Sequence, residues 1–255
     1  IAGKDNFDST VSHKDVPVYS QNLDLKSKPK IAYLNETIHH PSIQSEIKDS
    51  FFDFVEKLKS TGHEVEALNF PLLDFVLPTY YTLTMAEVST NLSRFDGVRY
   101  GYRSPNATDL ESMYKKSRSE GFGEEVKKRI ILGTFVLSAD YYDAYFTKAQ
   151  KVRRLILEKT KEVFKKYDFI ILPTTPTTAF ELGKSREDSV QVYLEDLLTV
   201  QASVAGIPAI SIPLGKDKQG LPMGLQIMAD SFDESNLLAF VNSITNSNGT
   251  VTTGV

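Results

Sequence analysis

The 255-residue sequence contains no cysteine. That absence excludes disulfides, thiolate metal sites and cysteine nucleophiles together. It has no basic excess either: 29 Lys and Arg stand against 33 Asp and Glu, a net charge of −4. A general nucleic-acid surface shows instead as a strong positive balance. No apolar run approaches the roughly 20 residues of a membrane span. The first residues, IAGKDNFDST, lack both the basic start and the apolar core of a secretory leader. Histidine is sparse, and His13, His39, His40 and His63 share no ligand spacing such as H-E-x-x-H. Phosphate-cradling glycine motifs and the G-x-S-x-G nucleophile elbow are both missing. EGFGEE at 120–125 opens a helix with two glycines, but its glutamates repel phosphate and no lysine follows a strand there. These absences read as a soluble, cytoplasmic chain without a metal site or nucleotide cradle. Its start at Ile1 rather than Met reads as a piece of something longer.

What is present is ordinary globular material, 41% hydrophobic and 24% charged. KIAYL (30–34) predicts a short buried strand. Ile43, Ile47, Phe51, Phe54, Val55 and Leu58 recur at helical spacing, predicting a helix over 42–60 that stops at TGHE. EVEALNF then alternates like a strand. A helix is expected from Tyr80 to Leu92, and another after an N-cap at Thr108 or Asp109. The long helical stretch from Gly123 to Tyr167 is expected to break near Gly133 into two helices. DFIILPT (168–174), AISIPL (209–214) and GLQIMA (224–229) predict buried strands, with helices over about 190–204 and 231–246. The whole is read as one α/β unit or part of one, residues 1–255.

Two stretches carry concentrated polarity. NLSRFDGVRYGYRS (91–104) holds Arg94, Arg99, Arg103, Asp96, Tyr100, Tyr102 and two glycines. It suits either a solvated loop or the wall of a polar pocket. LPTTPTTAF (172–180) follows a buried strand, where open α/β sheets place ligands. It suits a backbone-exposing loop or a turn stiffened by two prolines.

Four segments occur in a telling order: PTYYTLTMAEVSTNLSRFDGVRYGYRS, SRSEGFGEEVKKRIILGTFVLSADYYDAYFTKAQKVR, DFIILPTTPTTAF, and YLEDLLTVQASVAGIPAISIPLG with GLPMGLQIMA. Together they resemble the amidase signature family, and within it the glutamine-hydrolysing A subunits of bacterial tRNA-dependent amidotransferases. The resemblance runs along nearly the whole chain. It implies part of an α/β/α fold with a mixed central sheet flanked by helices. The family uses a Ser–cis-Ser–Lys triad, in which a serine attacks the glutamine side-chain amide and releases ammonia. No Gly/Ser-rich segment here matches the triad region, so the resemblance implies a C-terminal half, with no catalytic residue of its own and inactive alone. It further implies B and C subunits as partners in a heterotrimer, with tRNA contacted mainly through the B subunit. ATP and Mg are implied at the partner, with no cofactor on this chain.

By residue-wise match the resemblance assigns three substrate-binding residues. Arg129 in EVKKRI falls on the arginine for the glutamine α-carboxylate, and Asp196 in YLEDLLT on the aspartate for its α-ammonium. Tyr80 in LPTYY falls on a pocket tyrosine. A planar guanidinium suits the first role because it grips a carboxylate with two hydrogen bonds. Taken as residues alone, Arg129 and Asp196 also suit exposed helix charges, and Tyr80 a packed core ring. The resemblance further implies an Asp96–Arg99 ion pair in the polar stretch, with Gly97 and Gly101 allowing tight turns. Two other functions stay open at this level: a stand-alone amide hydrolase of the same family, and a non-catalytic interaction module.

Overall fold

In the computed structural model, the described residues are 2–21, 23–25, 27–182 and 195–246. They gather in two compact units, Ile1–Phe70 with Thr160–Val255, and Pro71–Lys159.

The first unit is built on a five-stranded mixed sheet. Strands β1 (Lys30–Leu34) and β2 (Glu64–Leu68) are parallel, with Ile31 opposite Val65. On its other side β1 runs parallel to β3 (Phe169–Pro173), Ile31 facing Phe169. A hairpin of β4 (Ala209–Lys216) and β5 (Pro222–Met228) completes the order β2-β1-β3-β5-β4, with β5 antiparallel to both neighbours. Strand β3 is buried at every position, as an unbroken apolar run requires when both faces of a strand are covered.

Helices follow from the same logic. After the single turn α1 (Asn35–Ile38), helix α2 (Ser45–Ser60) buries Ile47, Phe51, Val55 and Leu58, one stripe at helical spacing. It ends in a turn that needs Gly62, whose φ is +86°. Phe51 and Val55 join Ile31, Phe169 and Leu225 in one core, where Phe169 stacks on Phe240 with ring centroids 4.6 Å apart. Phe240 belongs to the last helix, Glu234–Asn246. Of the helix expected over about 190–204, the described residues Glu195–Thr199 form turns and Val200–Ala205 are helical. That helix stops at left-handed Gly206. Residues 183–194 lie outside the described residues.

The second unit is helical. Helix α3 (Leu73–Leu92) starts a full two turns before the expected Tyr80, because Leu73, Val76 and Thr79 have buried positions to fill, and it tolerates Pro78 within it. Helix α4 (Leu110–Gly121) is capped by Asp109 through a reciprocal pair: Ser112 N–H donates to Asp109 Oδ1 at 2.8 Å, and Asp109 N–H to Ser112 Oγ at 3.0 Å. Helix α5 (Glu124–Val136) runs straight through Gly133. The break comes later, at 137–142, before a π-helical turn (Asp143–Thr147) and helix α6 (Lys148–Phe164). Gly133 is there for contact: a Cβ on it would sit 2.0 Å from the Met85 carbonyl oxygen of α3. The two helices meet at that glycine, and Ser89 Oγ hydrogen-bonds Thr134 Oγ1 beside it at 3.0 Å. Among the described residues no helix is long and apolar enough to cross a membrane.

Candidate functional site

Two of the three expected substrate-binding residues stand in the helical unit. Arg129 lies one turn inside α5, whose first turn carries Glu124 and Glu125, charges that suit the positive end of a helix. Its Nε donates to Glu125 Oε1 at 2.9 Å, with the Arg129 side chain 38% exposed. Among the described residues its terminal nitrogens make no other hydrogen bond, so a two-pronged donor face stays open. Tyr80, half-buried on α3, packs edge-on against Tyr81 at 5.3 Å, and its carbonyl accepts from Thr84 Oγ1. No ring contact or hydrogen bond joins Tyr80 to Arg129 among the described residues.

The polar stretch 91–104 is anchored to α4. Arg118 donates to the carbonyls of Leu92 (2.8 Å) and Phe95 (3.1 Å). Ser104 N–H donates to the buried Ser117 Oγ at 3.0 Å, and Tyr102 Oη to Glu120 Oε2 at 2.8 Å. That last bond, first among its causes, raises the Tyr102 phenol above its usual pKa. Gly97 and Gly101 adopt φ of +79° and +87°, the tight turns expected of them. The Asp96–Arg99 ion pair is absent among the described residues: the Asp96 carboxylate accepts from Val98 N–H at 2.8 Å and closes a local turn instead.

Asp196 belongs to the sheet unit. Its carbonyl accepts the N–H groups of Thr199 and Val200, each at 3.1 Å, so the residue opens the turn that feeds the Val200–Ala205 helix. Leu197 and Leu198 are buried next to it. The buried Gln226 side chain of β5 donates to the Leu198 carbonyl at 2.7 Å and fixes this turn to the sheet. Sequence reading passed over Gln226. The signal was there, a lone amide inside the apolar strand GLQIMA. Gln201, also overlooked, is fully buried, and among the described residues neither side-chain amide atom is hydrogen-bonded.

LPTTPTTAF is a braced turn at the carboxyl end of β3. Gln44 N–H donates to the Pro176 carbonyl (2.9 Å), and Thr178 N–H donates back to Gln44 Oε1 (3.0 Å). Thr178 Oγ1 donates to Asp217 Oδ2 at 2.9 Å. Burial pushes the Asp217 carboxyl up, yet the Leu221 N–H, the Thr178 hydroxyl and two further N–H groups outweigh it and hold it below the usual range. Thr174 Oγ1 and Ser211 Oγ lie 2.6 Å apart. They approach over Gly224, where a Cβ would stand 2.7 Å from the threonine oxygen. No group of three or more His, Asp or Glu side chains among the described residues is arranged to hold a metal ion. His39 and His40 sit in a polar turn, hydrogen-bonded to Lys48 and Ser42.

The relatives place this architecture. An amidase family model matches residues 1–238. The chain is 48% identical over 237 residues to the glutamyl-tRNA(Gln) amidotransferase A subunit of Clostridium botulinum, covering 93% of this chain and 49% of the relative. The A subunit of the same amidotransferase from Brevibacillus brevis is 48% identical over 240 residues, with the same coverage. The crystal structure of the Thermotoga maritima A subunit superposes with a TM-score of 0.68 at 33% identity, over 93% of this chain and 46% of that one. A peptide amidase from Stenotrophomonas maltophilia shares the fold, with a TM-score of 0.67 at 22% identity over 97% of this chain and 49% of its own. The chain thus spans about half the length of the curated relatives it matches. With the family model matched along nearly its whole length, the chain belongs to the amidase family.

Proposed function

We propose that this chain is the substrate-recognition half of a glutamine-hydrolysing subunit that supplies ammonia to a tRNA-dependent amidotransferase. The observation that carries the reading is the 48% identity to a curated glutamyl-tRNA(Gln) amidotransferase A subunit over 93% of the chain. Free glutamine is a zwitterion, and its recognition needs a cation for one end and an anion for the other. Arg129 supplies the first through its open guanidinium face, oriented by Glu125. Asp196 supplies the second from the turn held by Gln226. Tyr80 is the third residue that the resemblance assigns to substrate binding.

In this reading the chain is the C-terminal half, and the serine nucleophile and its lysine belong to the half of the relatives that it does not span. The serine adds to the glutamine δ-carbon, the C–N bond breaks, and the amide nitrogen leaves as ammonia with a proton from the lysine-bearing triad. Water then releases glutamate from the acyl-serine. Ammonia passes to the B and C subunits, where ATP and Mg would supply the activation of the glutamyl-tRNA, held mainly by the B subunit. Fixing both ends of the substrate's head group presents one amide carbon to the nucleophile, a gain in orientation rather than in chemistry.

Ammonia release from glutamine by a protein of the relatives' full length, compared with its Arg129→Ala variant, tests the reading. Loss of a charged two-pronged contact is expected to lower kcat/KM about 30- to 1000-fold. A parent that ignores glutamine, or a variant that keeps full kcat/KM, sinks the assignment and directs the search to another amide.

A further inference from the structure

A cavity of about 440 Å³ opens in the sheet unit, between the end of α2, the segment leading to β1 and the last helix. Its size lies within the range of small-molecule sites, roughly 300–1,000 Å³. Leu25, Phe54, Leu58 and Ile244 give it an apolar floor, while Lys28 and Lys57 stand at its lining beside His63. No acidic side chain lines it among the described residues.

The polar groups are only partly used. Lys28 Nζ donates one hydrogen to the Thr61 carbonyl at 2.7 Å, which leaves two of its three donors. Lys57 is exposed and has no carboxylate partner among the described residues. The imidazole of His63 rests edge-on against Phe240 at 5.8 Å. Its Nδ1 is buried with no hydrogen-bond partner among the described residues. A buried unpaired polar atom beside a cationic, apolar-floored cavity calls for an explanation.

We propose that this cavity binds a small monocarboxylate with an apolar body, its charge held by Lys28 and Lys57 and its body laid over Phe54, Leu58 and Ile244. A multiply charged anion is disfavoured, since an apolar floor cannot replace the water such an ion loses. Burial and the neighbouring Lys28 hold the His63 imidazole below its ordinary pKa. A carboxylate arriving beside that ring offsets the lysine charge, so occupancy raises the His63 pKa.

Sodium octanoate is the probe, titrated into a protein of the relatives' full length and followed by the imidazole proton resonances of His63. A His63→Gln variant identifies the His63 signal. The expected result is a saturable change at His63 with its pKa moved upward. Octanamide, of equal length but uncharged, is expected to bind about 10-fold more weakly or less, and so is octanoate to the Lys28→Met/Lys57→Met double variant. An unmoved His63 signal overturns the proposal, as does octanoate affinity that the double variant leaves unchanged.

Discussion

The buried amide of Gln226 on β5 holds the carbonyl of Leu198, two residues beyond Asp196, at 2.7 Å. One strand position thus fixes the turn on which a candidate substrate-binding carboxylate is mounted. Replacing Gln226 by leucine keeps the volume and leaves that carbonyl without a donor. We expect a loss of about 1–3 kcal/mol in unfolding free energy, measured by urea denaturation. An unchanged urea midpoint would show that the carbonyl finds another donor.

Arg129 and Glu125 make a second pair with separable roles. Their ion pair is exposed and one turn apart, so breaking it with Glu125→Gln is expected to change stability by no more than about 0.5 kcal/mol. Arg129→Lys keeps the charge but loses the planar fork. If the fork grips a carboxylate, lysine is expected to recover less than a tenth of the parent kcat/KM for glutamine. Full rescue by lysine would mean that charge alone is read.

Gly133 predicts a packing defect. Alanine there sets a methyl 2.0 Å from the Met85 carbonyl oxygen, which is backbone and cannot swing aside. The α3–α5 contact must open, and Gly133→Ala is expected to cost about 3 kcal/mol, at the upper end of overpacking effects. Thermal unfolding measures it. A neutral outcome would mean that the helices separate freely at this crossing.

His63 predicts a pH dependence. Burial, its largest cause, lowers the folded-state pKa below the ordinary 6.5, so protonation favours the unfolded chain. The stability linked to this group is complete above pH 6.5. It falls as pH drops through 6.5 and stops falling below the folded-state pKa. Urea midpoints taken from about pH 7.5 down to about 5 are expected to fall more steeply for the parent than for His63→Gln. Parallel slopes would remove His63 from the acid response.

Much of the fold is legible in the residues. KIAYL and FIILP are strands because β-branched and large apolar residues run without interruption and can be covered on both faces. The α2 stripe and the Asp109 cap are equally local signals. Gly133 misleads because a glycine in a helical run looks the same whether it ends the helix or lets a neighbour approach. The identity of that neighbour, Met85, lies far away in sequence and is invisible to any local pattern. Helix α3 begins before the expected Tyr80, since the buried positions Leu73 and Val76 carry it through Pro78. The antiparallel placement of the β4–β5 hairpin against β3 is also a long-range fact. For the candidate site, composition leaves Arg129, Asp196 and Tyr80 as ordinary polar and aromatic residues. Only the ordered family segments single them out. Gln226 needed a different question, namely what an amide in a buried strand is bonded to.

The pairing of β1 with β3 has a temporal consequence. Ile31 lies opposite Phe169, and Lys30 N–H donates to Asp168 Oδ2 across 138 positions of sequence. The helical unit occupies the chain between those strands, so during synthesis β1 and β2 emerge long before their third strand exists. Late pairings of this kind slow folding, because a long loop must close before any contact repays it. The helices of Pro71–Lys159 are local and have no such wait. A ribosome-bound chain is therefore expected to protect its helices from proteolysis first, while the first two strands remain clients of chaperones until Pro173 is out.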